Sequence, residues 1–369
     1  MSRLIKLLAV AGARPNFMKI APLLQAFEAH NANRSECDPR LEWQLVHTGQ
    51  HYDAQMSDIF FAELGIRAPD VNLEIGSGSH AAQTSAIMAA FEPVCEKAAP
   101  DWVIVVGDVN STMACTLVAA KMGIRVAHVE AGLRSFDRSM PEEINRLVTD
   151  ALADLLLTPS EDANQNLKRE GVCDSKIRLV GNIMIDSVMA HLNNGRNGTI
   201  LEQLELKERG FVYVTLHRPS NVDQRESLSA IIDELTALAD QFPVIFPIHP
   251  RTRQRMEQFG LSIPEDGGVH LLDPIGYKDS LALTRHARCV LTDSGGLQEE
   301  STYFQTPCLT LRPNTERPIT ISLGSNKLTR IETLRSDFQN ALEAPRSTQV
   351  PPLWDGKTAS RIVQCLIEA

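Results

Sequence analysis

A pair of glycines lies where an apolar run meets an acidic, helix-prone one, in the segment VLTDSGGLQEE at residues 290–300. At the start of a helix, Ser294, Gly295 and Gly296 would present free backbone N–H groups and the positive helix end to an open space, which suits a phosphate. The alternative is a tight strand-to-helix turn capped by Ser294. Because each glycine weakens a helix start by about 1 kcal/mol relative to alanine, a purely structural turn has no reason to keep both. The pattern therefore favours an anion site.

Two carboxylates follow the glycines in the same predicted helix. Glu299 and Glu300 fall in its first two turns, where the helix dipole favours negative charge. Glu300 can instead accept hydrogen bonds from the ribose hydroxyl groups of a nucleotide. The residues alone leave both interpretations open.

A second strand-to-helix junction, GARPNFMKIAPL at residues 12–23, carries Arg14 and Lys19 around its helix start. A cation near a helix N-terminus is electrostatically unfavourable unless an anion is bound there as well. Both side chains also donate strong hydrogen bonds to phosphate and carboxylate groups. This segment predicts recognition of one of those groups in preference to a solvated helix face.

Three further carboxylates stand where a buried strand surfaces or a helix begins. Asp108 ends the run VIVVGD, Glu130 ends VAHVEAG, and Glu142 lies in SMPEEINR. Such residues are either helix caps or acid and base groups of a site. Taken singly, Asp108 is interpreted as a cap. SMPEEINR equally fits a capping box from Ser139 to Glu142, with an ion pair between Glu142 and Arg146.

Histidines end two apolar runs of the second half. His217 and Arg218 follow FVYVTL, and His249 and Arg251 follow VIFPI. A strand-end histidine beside a phosphate can donate a hydrogen bond to it or transfer a proton, although a lone histidine is more often structural. No HExxH, CxxC or close Cys/His pairing occurs, so the sequence predicts no metal site.

Most of these candidate residues lie at the ends of short apolar runs that alternate with longer helical patterns. The runs are LIKLLAVAG, WQLVHTG, DWVIVVGD, RVAHVEAG, LLLTPS and IRLVGN in the first half, and FVYVTLH, VIFPIH, VHLLD, CVLTDSGG and PCLTLRP in the second. Runs that are apolar over their whole length are typical of a parallel sheet covered on both faces. The pattern predicts an α/β fold with two doubly wound, Rossmann-like sheets in tandem. Such sheets bind ligands at the carboxyl ends of their strands, so two of them face to face would form a cleft lined by strand-end residues.

The length of 369 residues also predicts two domains, since one hydrophobic core seldom supports so long a chain. We place them at residues 1–185 and 186–355, with a polar, turn-rich linker at 190–210 and a last helix at 356–369. The sequence pattern alone does not predict which domain that helix packs against.

Overall composition limits the classes of partner. The formal net charge of −10 argues against nucleic acid or an anionic membrane as the main partner. No window approaches about 20 apolar residues, and the N-terminus has no small-residue cleavage site, so we expect a cytoplasmic protein. The seven scattered cysteines are expected to be buried free thiols.

Ten motifs stand in an order that resembles the non-hydrolysing UDP-N-acetylglucosamine 2-epimerases over nearly the whole chain: GARPNFMKIAPL, TGQHYD, VVGDVNST, HVEAGLRS, MPEEINR, VGNIMIDS, VTLHRPSNVD, PIHPRT, TDSGGLQEE and TERP. The resemblance implies a GT-B fold with the active site in the interdomain cleft and the C-terminal helix crossing back to the first domain. It implies a UDP-sugar substrate, reversible interconversion of UDP-GlcNAc and UDP-ManNAc, a homodimer, and no metal or nicotinamide cofactor.

The same resemblance assigns roles to residues. Those it implies for UDP binding are Arg14, His217, Ser294, Gly295, Gly296, Glu300 and Arg317. Those it implies around the sugar, as catalytic residues together with His217, are Lys19, Asp108, Glu130, Glu142 and Arg146. Some relatives bind a second UDP-GlcNAc as activator through residues that match Gln50 and His51, but Tyr52 and Asp53 follow here where those relatives often carry a basic residue.

The chemistry explains why such residues would gather. The hydrogen at C2 of an N-acetylhexosamine is not next to a carbonyl group, so simple deprotonation is too costly. Expelling UDP from C1 while that proton leaves gives a 2-acetamidoglucal without a free carbanion. UDP must stay bound, and the proton must return to the opposite face, which requires acid and base groups on both sides.

Four other functions fit parts of the same pattern. They are a hydrolysing epimerase, an epimerase of a UDP-diacetamido uronic acid, a GT-B glycosyltransferase and a nucleotide-sugar sensor without catalysis. The motifs TGQHYD and LHRPSNVD do not specify the substituents at C3 and C6 of the sugar. The carboxylates at strand ends disfavour the sensor.

Overall fold

The computed structural model describes residues 3–49, 65–193, 199–264, 267–344 and 349–369. The chain divides into two compact units, one of Met1–Ala190 with Pro352–Ala369 and the other of His191–Pro351. Each unit contains one sheet, and every described strand pairing in both sheets is parallel. The α/β class predicted from the sequence is confirmed.

The N-terminal unit is built on seven strands in the order β3-β2-β1-β4-β5-β6-β7. They are β1 (Leu4–Ala11), β2 (Arg40–His47), β3 (Val71–Asn72), β4 (Trp102–Val106), β5 (Arg125–Val129), β6 (Leu155–Thr158) and β7 (Ile177–Leu179). The helices of this part are α1 (Arg14–Asn33), α2 (His80–Ala98), α3 (Asn110–Lys121), α4 (Pro141–Leu152), α5 (Glu161–Arg169) and α6 (Ile183–Asn193), with a 3-10 turn at Asp174–Lys176. All five residues of β4 are buried, as expected for a central strand with helices on both faces.

The C-terminal helix, Thr358–Glu368, packs against α1 and so belongs to the N-terminal unit. The carboxylate of Asp186 in α6 accepts hydrogen bonds from the backbone N–H groups of Thr358 and Ala359, at 3.2 and 2.8 Å. A side chain from a distant helix thereby satisfies donors that a helix start leaves without partners.

The C-terminal unit is built on six strands in the order β10-β9-β8-β11-β12-β13. They are β8 (Val212–Thr215), β9 (Val244–Pro247), β10 (Val269–Leu272), β11 (Cys289–Thr292), β12 (Cys308–Leu311) and β13 (Asn326–Thr329). Its helices are α7 (Thr199–Gln203), α8 (Pro219–Val222), α9 (Arg225–Ala239), α10 (Pro250–Phe259), α11 (Tyr277–His286), α12 (Gly295–Phe304), α13 (Ile319–Ser322) and α14 (Leu334–Glu343), with a 3-10 turn at Ile331–Thr333.

Each sheet reverses its strand order once, between β1 and β4 in the first unit and between β8 and β11 in the second. Open α/β sheets bind ligands at this switch point, beyond the carboxyl ends of the strands. Asp108 follows β4, whereas His217 and Asp293 follow β8 and β11. The fold thus brings candidate residues of each unit to the switch point of that unit's own sheet.

Every apolar run singled out in the sequence forms a strand, but two strands were not predicted. Both of these, β3 and β13, lie at a sheet edge. An edge strand is covered less completely, so its sequence need not be apolar throughout, as VN and NKLT show. Within the described ranges no helix combines the length and the apolar character needed to span a membrane.

Candidate active site

The corner between β11 and α12 leaves the first backbone N–H groups of the helix without a side-chain cap. Ser294 is the N-cap residue of α12, yet its side chain makes no capping hydrogen bond, and its own backbone N–H donates to Oγ1 of Thr292 at 2.9 Å. The first N–H groups of an α-helix have no partner within the helix. The start of α12 therefore presents backbone donors and the positive helix end, as expected from the paired glycines.

Arg317 lies against this corner, held by carboxylates. Its Nε is 2.7 Å from Oε1 of Glu299, and its Nη1 pairs with Glu316. Arg312 binds the other oxygen of Glu316 at 2.9 Å. Burial acts to raise the pKa of Glu316, but the two arginines hold that pKa well below its usual range. Glu299 thus positions Arg317, in addition to lying near the helix dipole.

Asp293 organises the strand ends of this unit. Its fully buried carboxylate accepts from the backbone N–H groups of His217 and Arg218, at 3.0 and 2.8 Å, and from Nδ2 of Asn221 at 3.0 Å. It also lies 3.0 Å from Nδ1 of His217. Burial acts to raise the pKa of Asp293, but the His217 side chain and these N–H donors hold it below its usual range. With Nδ1 held, Nε2 of the 41% exposed His217 ring is the nitrogen that a phosphate can reach.

Glu300 occupies a different environment from its neighbour Glu299. It is buried, and burial raises its pKa to about 8, while the hydroxyl group of Tyr277 acts to lower it and the charge of Glu299 to raise it. A carboxyl group with a pKa of about 8 changes its charge near neutral pH. Such a site is consistent with the predicted contact to ribose hydroxyl groups.

In the N-terminal unit, Lys19 and Glu130 form a buried ion pair. Glu130 immediately follows β5 at a φ of +70°, a conformation that costs a non-glycine residue about 1–3 kcal/mol. An ideal Cβ at Gly107 would lie 3.4 Å from both Oε2 of Glu130 and Nζ of Lys19. A side chain there would make only ordinary contacts with the ion pair, so it is the φ of +68° that favours glycine at this position, which directly precedes Asp108.

Asp108 pairs with Arg146 of α4, not with a helix start. The N-cap residue of α3 is Val109, without a side-chain cap, so the interpretation of Asp108 as a cap is wrong. The side chain of Asp108 is 31% exposed, whereas that of Arg146 is 2% exposed. The arginine therefore holds the carboxylate from the protein side and leaves part of it accessible.

The predicted capping box and ion pair in SMPEEINR are also wrong. Helix α4 begins at Pro141 with Met140 as N-cap and no side-chain cap. Arg146 pairs with Glu143, at 2.7 Å, and not with Glu142. Glu143 also accepts from the backbone N–H of Ser135 at 3.0 Å, so it faces inward and Glu142 is left exposed.

Three polar residues of this site were not selected from the sequence. Asn16 accepts from the backbone N–H of Ala13 at 3.0 Å and donates to the carbonyl oxygen of Val106 at 2.9 Å, joining the start of α1 to the end of β4. Glu143 was passed over for its neighbour, and His128 lies in an apolar run. For these three residues, the one signal in the sequence was that Asn16 lies in the first turn of a predicted helix, where asparagine often hydrogen-bonds to backbone N–H groups.

Some predicted residues lie outside what the structure describes. Gln50 and His51 fall outside the described residues, and so does the side chain of Arg14. Their roles in activation and in UDP binding stay predictions. Among the described residues, no three His, Cys, Asp or Glu side chains are grouped so that they could hold a metal ion.

Two Rossmann-like units with these strand-end clusters define the class of protein, which is that of the GT-B fold. A solved structure with this architecture is that of Methanocaldococcus jannaschii UDP-GlcNAc 2-epimerase in complex with UDP-GlcNAc and UDP. It superposes with a TM-score of 0.88 at 39% identity, over 99% of this chain and 100% of that one.

The sequence profile of UDP-N-acetylglucosamine 2-epimerase matches residues 33–367, and the chain belongs to that family. The M. jannaschii UDP-N-acetylglucosamine 2-epimerase is 40% identical, over 98% of this chain and 99% of its own length. The Pseudomonas aeruginosa UDP-2,3-diacetamido-2,3-dideoxy-D-glucuronate 2-epimerase is also 40% identical, over 88% of each chain. The family and fold predicted from the ten motifs are confirmed.

Proposed function

We propose that this chain reversibly epimerises C2 of UDP-GlcNAc to give UDP-ManNAc, by eliminating UDP to form 2-acetamidoglucal and adding UDP back. The observation that carries the proposal is the cluster of Lys19, Glu130, Asp108 and Arg146 at the switch point of the first sheet. Oε1 of Glu130 is buried and has no hydrogen-bond partner in the described part of the chain. An unsatisfied buried carboxylate oxygen is costly, so it indicates a group that a substrate completes.

The reaction conserves atoms and oxidation state. In the forward half, the C1–O bond to UDP breaks, a base takes the proton from C2, and a C1=C2 double bond forms. In the return half, UDP adds to C1 and a proton is delivered to the other face of C2. Neither half requires an external oxidant or reductant, so a nicotinamide has no role in it.

In this proposal, residues of the C-terminal unit bind UDP. The N–H groups of Gly295 and Gly296 and the side chain of Arg317 bind the diphosphate, and Nε2 of His217 donates to it. Glu300 accepts from the ribose. These contacts stabilise UDP as a leaving group and keep it in place for the return half.

The N-terminal unit supplies proton transfer. Glu130 is buried beside Lys19, Asp108 is partly exposed beside Arg146, and Glu142 is exposed at the start of α4. The three carboxylates differ in burial and in partner, which allows one to act as a base while another acts as an acid.

A second substrate is supported by a specific observation. The relative from P. aeruginosa that is named for a diacetamido uronic acid sugar has the same 40% identity as the one from M. jannaschii, over 88% of this chain compared with 98%. Turnover of both UDP-sugars by the same preparation decides between them. A kcat/KM for the diacetamido uronic acid that exceeds the value for UDP-GlcNAc would replace the substrate proposed above.

The proposal is tested by proton NMR of UDP-GlcNAc with the purified protein in D2O, without metal or acceptor. We expect UDP-ManNAc to appear and both epimers to acquire deuterium at C2, with no accumulation of UDP. Stoichiometric release of UDP with free ManNAc would establish a hydrolysing enzyme. Unlabelled sugar after prolonged incubation would instead favour a glycosyltransferase.

Asp108→Asn separates an enzyme from a sensor. A sensor has no turnover to lose, whereas the proposed enzyme should lose C2 exchange and keep its affinity for UDP. The cytoplasmic location expected from the sequence stays a prediction. The homodimer implied by the family resemblance also stays a prediction, and sedimentation of the full chain tests it.

A further inference from the structure

His128 lies within β5, is fully buried, and belongs to none of the groups considered so far as substrate contacts. Both of its ring nitrogens are hydrogen-bonded. Nδ1 lies 2.6 Å from Oδ1 of Asp150, and Nε2 lies 2.8 Å from the carbonyl oxygen of Gly107. A carbonyl oxygen can only accept hydrogen bonds, so Nε2 carries hydrogen and donates to Gly107, while Nδ1 faces the carboxylate of Asp150.

Asp150 is the common partner of several groups. Its Oδ2 accepts from the backbone N–H of Gly132 at 3.0 Å and lies 2.7 Å from Nη1 of Arg134. Burial acts to raise the pKa of Asp150, but His128 and Arg134 hold that pKa below its usual range, so the carboxylate is ionised. Arg134 also binds Glu170 through Nε and Nη2, at 2.8 and 2.6 Å. His128, Asp150, Arg134 and Glu170 thus form one charge cluster, in which Asp150 and Arg134 are buried and the side chain of Glu170 is 35% exposed.

This charge cluster holds the two turns that carry the proton-transfer carboxylates. Gly107, at a φ of +68°, directly precedes Asp108, and its carbonyl oxygen is bound by His128. Gly132, at a φ of +80°, follows Glu130 by two residues, and its N–H is bound by Asp150. The backbone N–H of Gly107 additionally donates to the carbonyl oxygen of Val129 at 3.0 Å, which ties the two strand ends together.

We propose that His128 is a positioning residue for the epimerisation: held at Nδ1 by Asp150, it donates from Nε2 to the carbonyl group of Gly107 and so fixes the turn that carries the carboxylate of Asp108. The inference rests on the proposed function, because that reaction is what the position of Asp108 serves. His128 acts through the backbone and touches neither nucleotide nor sugar. Displacing a reacting group by about 1 Å can lower a rate about 10²-fold, so a fixed turn has a measurable effect.

The hydrogen bond from His128 to Gly107 is tested by 15N NMR of the full chain, with histidines labelled and without ligand. We expect Nε2 of His128 to carry a slowly exchanging proton, with its resonance assigned by its loss in His128→Gln. An unprotonated Nε2 at His128 would overturn the proposal.

Two substitutions then separate positioning from packing. In His128→Gln the side-chain amide replaces Nε2 and keeps the donor to Gly107, whereas in His128→Asn it replaces Nδ1 and keeps only the donor to Asp150. We expect His128→Asn to lower kcat about 10²-fold and His128→Gln to lower it less than about tenfold, with KM within about threefold in both. Equal losses of kcat in the two variants, or a change confined to KM, would contradict the positioning role.

The affinity for UDP, measured by calorimetry, should be the same in both variants, since Gly295, Gly296, Arg317, His217 and Glu300 of the proposed UDP site belong to the other unit. Absence of C2 exchange in the unsubstituted protein would contradict the proposed function. Normal exchange in the unsubstituted protein, with the same kcat in both His128 variants, would contradict only the positioning role. If either variant fails to fold, the NMR result on the unsubstituted protein still decides whether Nε2 of His128 donates a hydrogen bond.

Discussion

The guanidinium group of Arg317 occupies the space that a side chain at Gly295 would need. Its Nη1 lies 2.8 Å from the position of an ideal Cβ at that residue, and Oε1 of Glu316 lies 3.0 Å from the same position. At Gly296 no described atom beyond the local backbone lies within 4 Å of the corresponding position. The two adjacent glycines therefore serve different ends, since the protein fills the space at one and leaves it open at the other.

Gly296→Ala is expected to leave the free protein as stable or more stable, by up to about 1 kcal/mol, because alanine favours a helix start and meets no neighbour there. The same methyl group should block the approach of a phosphate and raise the Kd for UDP at least about tenfold. Calorimetric titration and thermal unfolding together check this. Unchanged UDP binding would show that the open corner is not the anion site.

Gly295→Ala is the matched control for that pair of measurements. Here the methyl group collides with a guanidinium group that two carboxylates hold in place, so the stability of the free protein should fall by about 1–3 kcal/mol. Loss of stability at both glycines alike would mean that the corner is structural only.

Lys19→Met should lower the free energy of unfolding by about 3 kcal/mol, because it leaves the buried carboxylate of Glu130 without its cation. The double variant Lys19→Met/Glu130→Gln should be more stable than Lys19→Met alone. Urea unfolding measures both. The control is Lys168→Met, which breaks an exposed pair with Asp174 at 3.2 Å and should change stability by less than about 0.5 kcal/mol. Strictly additive effects of the two substitutions would mean that the ion pair is not formed.

Glu142→Gln and Glu143→Gln should have opposite consequences. Glu142 is exposed, so its substitution is expected to change stability by less than about 0.5 kcal/mol and to lower kcat about 10²-fold or more. Glu143 is buried and accepts from two backbone N–H groups and from Arg146, so its substitution should cost about 2–3 kcal/mol of stability. Thermal unfolding and steady-state kinetics distinguish the two, and full activity of Glu142→Gln would remove Glu142 from the catalytic set.

Glu300 should make stability fall as pH rises through neutrality. Burial raises its pKa from 4.5 to about 8, so between these values the folded chain binds more protons than the unfolded one. The contribution is complete below pH 4.5 and is lost up to about pH 8, with a slope of up to about 1.4 kcal/mol per pH unit. Urea unfolding from pH 5.5 to 8.5 should show this slope in the native protein but not in Glu300→Gln.

Two controls accompany the pH series. Glu332→Gln removes an exposed carboxylate of the same unit and should leave the slope unchanged. Tyr277→Phe removes a hydroxyl group that acts to lower the pKa of Glu300, so the loss of stability should extend to higher pH. A slope that persists in Glu300→Gln would mean that another group titrates in this range.

The fold class and the positions of most candidate chemical groups could be predicted from the order of the amino acids. Runs that are apolar throughout must be covered on both faces, which requires parallel strands with helices around them. Parallel strands share one carboxyl edge, so polar residues that end such runs gather there. Asp108, Glu130 and the Ser294 to Gly296 turn were found in this way.

The partner of each of these groups, in contrast, is apparent only in the folded structure. Lys19 reaches Glu130, Arg146 reaches Asp108 instead of Glu142, and Arg317 packs against Gly295. Local spacing predicts pairs three or four residues apart, and Arg146 does pair with Glu143, but spacing alone could not show that the fold also brings the distant Asp108 beside the same arginine. His128 could not be recognised for the same reason, because its role comes from Asp150 and Gly107, which approach it only after the strands and helices have packed.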